Sequence, residues 1–132
     1  RNQTWQYIKL NASTPLEVRM ELTETTRLFI VVNGQIEVGE SGVTDTQKRF
    51  SEFDVRVLLN NTPLDQYGTF VCKCDAGFMP FHVGATTVAR PGTVVIRAQI
   101  RDRAPSPADG SADADIGFKQ SNTYVYCYGH TR

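Results

Sequence analysis

Between Pro15 and Leu22 the chain reads PLEVRMEL, apolar and charged residues in strict alternation. Side chains on an extended strand point alternately to opposite faces. Leu16, Val18, Met20 and Leu22 therefore line one side, and Glu17, Arg19 and Glu21 the other. That pattern makes a strand with one dry face and one wet face; a helix would scatter the same apolar residues around its circumference. The period of two recurs in Phe53–Leu59, with Phe53, Val55, Val57 and Leu59 inward, and in Thr93–Arg101, with Val94, Ile96, Ala98 and Ile100 inward. Arg27–Val32 is apolar on both faces and β-branched, the pattern of a central strand. Asn33-Gly34 after it predicts a hairpin turn before the alternating Gln35–Val38. Thr4–Leu10 reads as an opening strand, and Asn122–Tyr128 as a late one with Tyr124, Tyr126 and Tyr128 on one side. No window sustains an apolar period of 3.6.

These runs, separated by Gly, Pro, Asn and Asp clusters, predict an all-β chain, an antiparallel β-sandwich or jelly roll of about eight strands. With 132 residues, 40% hydrophobic and 21% charged, the expectation is one domain over 1–132 with a real core. Residues 101–117 (RDRAPSPADGSADADIG) lack apolar side chains to bury and are predicted to be an irregular surface loop. Fourteen basic and fourteen acidic residues cancel, so no polybasic surface is expected and nucleic acid is not an expected partner. No stretch reaches the roughly 18 apolar residues of a membrane-spanning helix, so membrane insertion by this segment is not expected.

Compartment is read from asparagines. Asn2, Asn11 and Asn60 each open an Asn-x-Ser/Thr sequon, with Pro63 directly after the third. Chance would give about one sequon in such a composition. Three, all at expected loops or termini, predict covalent glycans and an extracellular or cell-surface location reached through the secretory pathway. The chain begins at Arg1 without an apolar signal segment, as a processed or excised piece would.

Disulfides persist in that compartment, and the chain has three cysteines, Cys72, Cys74 and Cys127. Cys72 and Cys74 share a strand face, and either could bond Cys127. A Cys72–Cys127 bridge, continuing the apolar face of Phe70, is the expected pairing; its loop of roughly 55 residues would contribute about 4 kcal/mol. Cys74 would then be a free or intermolecular thiol. A rival assigns Cys72, Cys74, Cys127 and His130 to zinc. Asp109, Asp113 and Asp115 space oxygen ligands as calcium loops do, but Ala114 and Gln120 occupy the positions where an EF-hand needs glycine and glutamate. No metal or cofactor is expected.

Gly77–His82 packs Phe78, Met79 and Phe81 between Gly and Pro, a sticky patch for a partner if it lies at a loop tip and core if it folds under the sheet. Tyr124, Tyr126 and Tyr128 could stack on sugar rings or pair across strands. Neither His82 nor His130 lies in a metalloprotease or deaminase motif, and no Gly-x-Ser-x-Gly elbow occurs, so no enzyme is expected.

Three resemblances add expectations. Trp5–Leu10, Pro15–Leu22 and Arg27–Val32 resemble the opening strands of bacterial pre-peptidase C-terminal modules, which implies an accessory extracellular jelly roll. Gly68-Thr69-Phe70-Val71-Cys72 resembles the F-strand motif of immunoglobulin domains with Phe70 in the tyrosine position, which implies a receptor or viral ectodomain. No cysteine precedes Cys72 to serve as the partner that motif requires. Cys72–Phe78 resembles a run of EGF modules, but three cysteines cannot build that fold. The expected function is a non-enzymatic structural or adhesive module of a secreted or cell-surface glycoprotein. It would join other chains or domains, or copies of itself, into an extracellular assembly, a filament being one form such joining could take. The alternatives are a carbohydrate-binding module and an immunoglobulin-like ectodomain.

Overall fold

A computed structural model describes residues 4–9, 13–40, 50–73, 77–103, 114–118 and 124–130. The strands, in order, are β1 (Gln6–Tyr7), β2 (Glu17–Leu22), β3 (Thr26–Glu40), β4 (Phe50–Leu59), β5 (Thr62–Lys73), β6 (Gly77–Ala89), β7 (Gly92–Arg103), β8 (Ala114–Phe118) and β9 (Tyr124–His130). They form two antiparallel sheets, an all-β sandwich. In the five-stranded sheet β1 and β2 lie end to end along one edge of β7, followed by β4 and β5. In the four-stranded sheet β6 runs along one edge of β3, and β9 and β8 lie end to end along the other. The chain crosses from one sheet to the other at β2–β3, β3–β4, β5–β6, β6–β7 and β7–β8, a jelly-roll kind of interleaving.

The alternation seen in the sequence builds the core. Phe53, Val55, Val57, Val94, Ile96, Ala98 and Ile100 of one sheet face Leu28, Ile30, Val32, Phe81, Val83, Ala85 and Ala89 of the other, and Ile8 joins the same core beside Ala98. Leu16, Val18, Met20, Leu22 and Leu59 pack against this layer half-buried. Residues between them on each strand are left on the outer faces, as the period of two requires.

The structure departs from expectation at several points. The chain does not turn at Asn33-Gly34: β3 continues through it to Glu40. A two-residue turn of type I′ needs positive φ at both central residues. The described non-glycine residues with positive φ are Asn60 (49°) and Asn61 (68°), which make the β4–β5 hairpin turn. At Asn33-Gly34 the ladder to β6, unbroken from Thr26 to Val38, outweighs the local preference, and buried Gly34 lies opposite Phe81. Gly77–His82 is likewise strand, not a loop tip. Phe81 is 4% exposed, with its ring 6.1 Å from those of both Phe53 and Phe70, so it is core and not interface. Of the expected loop, Arg101–Arg103 end β7 and Ala114–Gly117 belong to β8; 104–113 lie outside the described residues. The opening strand shrinks to Gln6–Tyr7.

Candidate interaction surface

The two outer faces of the sandwich differ in chemistry. On the four-stranded sheet, β3 turns Arg27, Phe29, Val31, Asn33 and Gln35 outward, because Leu28, Ile30, Val32 and Gly34 point in. β6 adds Pro80, His82, Gly84, Thr86 and Val88. Phe29 is 42% exposed and Val88 55%. Arg27 is the one arginine, lysine or carboxylate among these described side chains. On the far edge of β3, Tyr128, Tyr126 and Tyr124 stand in register with Phe29, Val31 and Asn33.

β8 ends with Phe118 opposite Ile36 and β9 begins with Tyr124 opposite Asn33. A cavity of about 530 Å³ is lined by Asn33, Gly34 and Gln35 of β3, Phe70 of β5, and Pro80, Phe81 and His82 of β6. Gly34 contributes no side chain to fill it. On the rim His82 Nδ1 hydrogen-bonds Asn33 Oδ1. The lining is aromatic and amide, without a carboxylate, lysine or arginine.

The five-stranded sheet is charged outside. Asp54 on β4 is fully buried, and Arg101 on β7 clamps its Oδ2 through Nη2 (2.6 Å) and Nε (3.1 Å). Thr69 Oγ1 donates to Asp54 Oδ1 (2.8 Å). Arg56, two residues along β4, donates from Nε to Gln99 Oε1 (2.8 Å). The Trp5 ring lies over both cations, 4.1 Å from the Arg56 guanidinium carbon and 4.4 Å from that of Arg101. Burial, and then the neighbouring charge of Arg101, hold the Arg56 guanidinium below its ordinary pKa, against a smaller opposing effect of Tyr7. Arg97 lies over Tyr7 (5.7 Å) and pairs with Glu17 (3.4 Å), which also takes Arg19 (3.2 Å).

Sequence reasoning singled out none of Trp5, Asp54, Arg56 or Arg101 as a cluster. The signal available was the charged wet face of each strand, Asp54-x-Arg56 and Arg97-x-Gln99-x-Arg101; their cross-strand register is not written in it.

The cysteines do not come together as expected. Cys127 carries a free thiol, half-buried, and burial pushes its pKa up. Its β9 position pairs with Ile30, whose β6 partner is Ala85. Across the core Gly68 sits against Val83 and Phe70 against Phe81, so each step along β5 toward Cys72 moves away from Ala85. By that count Cys72 lies about six residues, roughly 20 Å, from the Cys127 row, beyond a disulfide's reach of ~7 Å. The expected Cys72–Cys127 bridge is therefore not formed. Cys74 lies outside the described residues, as do Asn2, Asn11, Asp109 and Asp113. Asp115 is placed on β8 opposite Gly39, and Phe78 and Met79 on β6 opposite Glu37 and Ile36. Among the described residues no three His, Cys, Asp or Glu gather as a metal site. No helix among them is long and apolar enough to cross a membrane. Asn60 is exposed at its turn, but its amide is engaged: Nδ2 donates to Thr93 O (3.2 Å) and Oδ1 accepts from Val95 N (2.8 Å).

No family model, curated protein or solved structure matches this chain significantly, so the role of its two faces has to be inferred from their own chemistry.

Proposed function

We propose that the chain is a non-enzymatic structural module that assembles through the outer face of its four-stranded sheet. The observation that carries this is the exposure of Phe29 and Val88 on a face whose described side chains include one arginine and no carboxylate or lysine. Apolar surface of this kind gains by being covered. Copies of the same chain are the partner that fits, since Arg27 is the one charged group among the described side chains of this face and two such surfaces meet with little like-charge repulsion. The secretory setting expected from the sequons belongs to the same reading, with Asn2 and Asn11 as the attachment points. Asn60 is the weaker acceptor, because its amide nitrogen already serves the β4–β7 ladder.

Sedimentation over a hundredfold range of concentration tests the assembly. The expected result is self-association that Phe29→Ser together with Val88→Ser abolishes while the far-ultraviolet spectrum stays that of a β-protein. A monomer at every concentration would refute it. Intact mass before and after glycosidase treatment checks the compartment.

A second reading, a carbohydrate-binding module, is favoured by the tyrosine register beside the cavity at Asn33 and His82. Sugar rings offer C–H faces to aromatic rings and hydroxyls to amides. Glycan-array binding lost in Tyr126→Ala would select it; an array with no bound glycan would eliminate it.

A further inference from the structure

The outer face of the five-stranded sheet, opposite the surface just discussed, holds a cation that no described carboxylate neutralises. Asp54 takes Arg101, Glu17 takes both Arg19 and Arg97, and Glu21 accepts from Thr93 Oγ1 (2.5 Å). Arg56 is left over. Its Nε donates to Gln99, a neutral group, and its face lies against Trp5. Among the described residues no acceptor meets its two terminal nitrogens, which together carry four N–H donors.

Its surroundings oppose the charge it carries. Arg101 is close enough to repel it, and burial removes part of its hydration. An oxyanion at the open edge of the guanidinium would take the place of water on these donors and offset the repulsion in one step. The planar fork matches two oxygens of such a group at once.

We infer that Arg56, backed by Trp5 and set beside Arg101 over the same ring, is a binding site for an oxyanion group of the sulfate, phosphate or carboxylate kind. Arg101 is held back from the role by Asp54, so it contributes field and not a fork. Trp5 keeps the Arg56 guanidinium flat and restricts its motion, which lowers the entropy lost on binding. The site is independent of the assembly face and stands or falls without it.

Trp5 is the chain's one tryptophan, so its fluorescence reports on the site directly. The experiment titrates the intact chain with sodium sulfate, sodium phosphate and sodium acetate, with sodium chloride holding the ionic strength constant. A saturable change in Trp5 emission is expected for at least one oxyanion, and the one that saturates lowest names the group. Arg56→Gln should raise the half-saturation point about tenfold or more, the loss expected for a charge-assisted hydrogen bond. Arg56→Lys, which keeps the charge and loses the fork, should fall between, and it carries the test if the glutamine variant fails to unfold cooperatively. Arg19→Gln, on the same face and 61% exposed, should leave the titration unchanged. An emission that follows ionic strength alone, or oxyanion saturation unaltered in a folded Arg56 variant, would overturn the proposal.

Discussion

Asp54 has no exposed surface, whereas the Arg101 side chain keeps 31% of its own, and the two halves of this pair are therefore unequal to remove. Without Arg101 a carboxylate stays buried against Thr69 with that countercharge gone. Without the Asp54 charge, Arg101 can turn to water. Arg101→Ala is expected to cost about 3 kcal/mol and Asp54→Asn about 1 kcal/mol, read from urea unfolding midpoints. Equal losses would contradict this account of the site. Cys127 offers a chemical prediction. Its thiol sits against the core, and burial raises its folded pKa above the ordinary 9.0. The unfolded chain then sheds that proton first, so the associated stability is complete below pH 9.0 and declines as pH climbs toward the higher folded value. Iodoacetamide at pH 8 should alkylate Cys127 more slowly than a small free thiol, with the gap closing in denaturant. Equal rates with and without denaturant would show the thiol to be open to solvent.

Among the elements, the β4–β5 hairpin turns on two left-handed asparagines that are not interchangeable. Asn60 caps the neighbouring strand through both ends of its amide, while Asn61 Oδ1 accepts one long, exposed bond from Arg97 (3.2 Å). Glycine adopts positive φ without strain. Asn61→Gly is expected to be neutral or stabilising by up to about 0.5 kcal/mol, and Asn60→Ala destabilising by about 1–2 kcal/mol, in thermal or urea melts. Gly68 is needed for room: a Cβ there would stand 2.8 Å from the Phe70 ring and 3.1 Å from Val83, within the stack of Phe70 on Phe53. Gly68→Ala should lose about 1–3 kcal/mol by overpacking. The same elements show what a sequence can and cannot disclose. β2, β4 and β7 are legible because their inward residues alternate with charge, a signal carried within each strand. β6 is not: Pro80 and Gly84 interrupt it, and Phe78-Met79 sets two large apolar residues side by side. Asn33-Gly34 has the stronger turn chemistry, yet Asn60-Asn61 turns, because the long partner strand decides between them.

At the scale of the molecule, the sandwich was legible from periodicity, since burying one side of each strand leaves few arrangements for two layers. The pairing of β3 with three other strands was not, because register depends on contacts between distant segments. The Arg–Trp cluster was hidden for the same reason: it joins β1, β4 and β7, and a net charge of zero conceals how unevenly the charge is laid out. Swapping the chemistry of the four-stranded face should therefore change assembly and leave Trp5 emission alone, while variants at Arg56 should do the reverse. A Phe29→Ser, Val88→Ser chain whose Trp5 response to oxyanions also vanished would mean that the faces are coupled through the core.

Such a lopsided plate has a preferred way up. At an oil–water boundary it should settle with Phe29 and Val88 toward the oil, leaving the indole on the aqueous side. An oil-soluble quencher would then spare the emission that iodide in the water extinguishes.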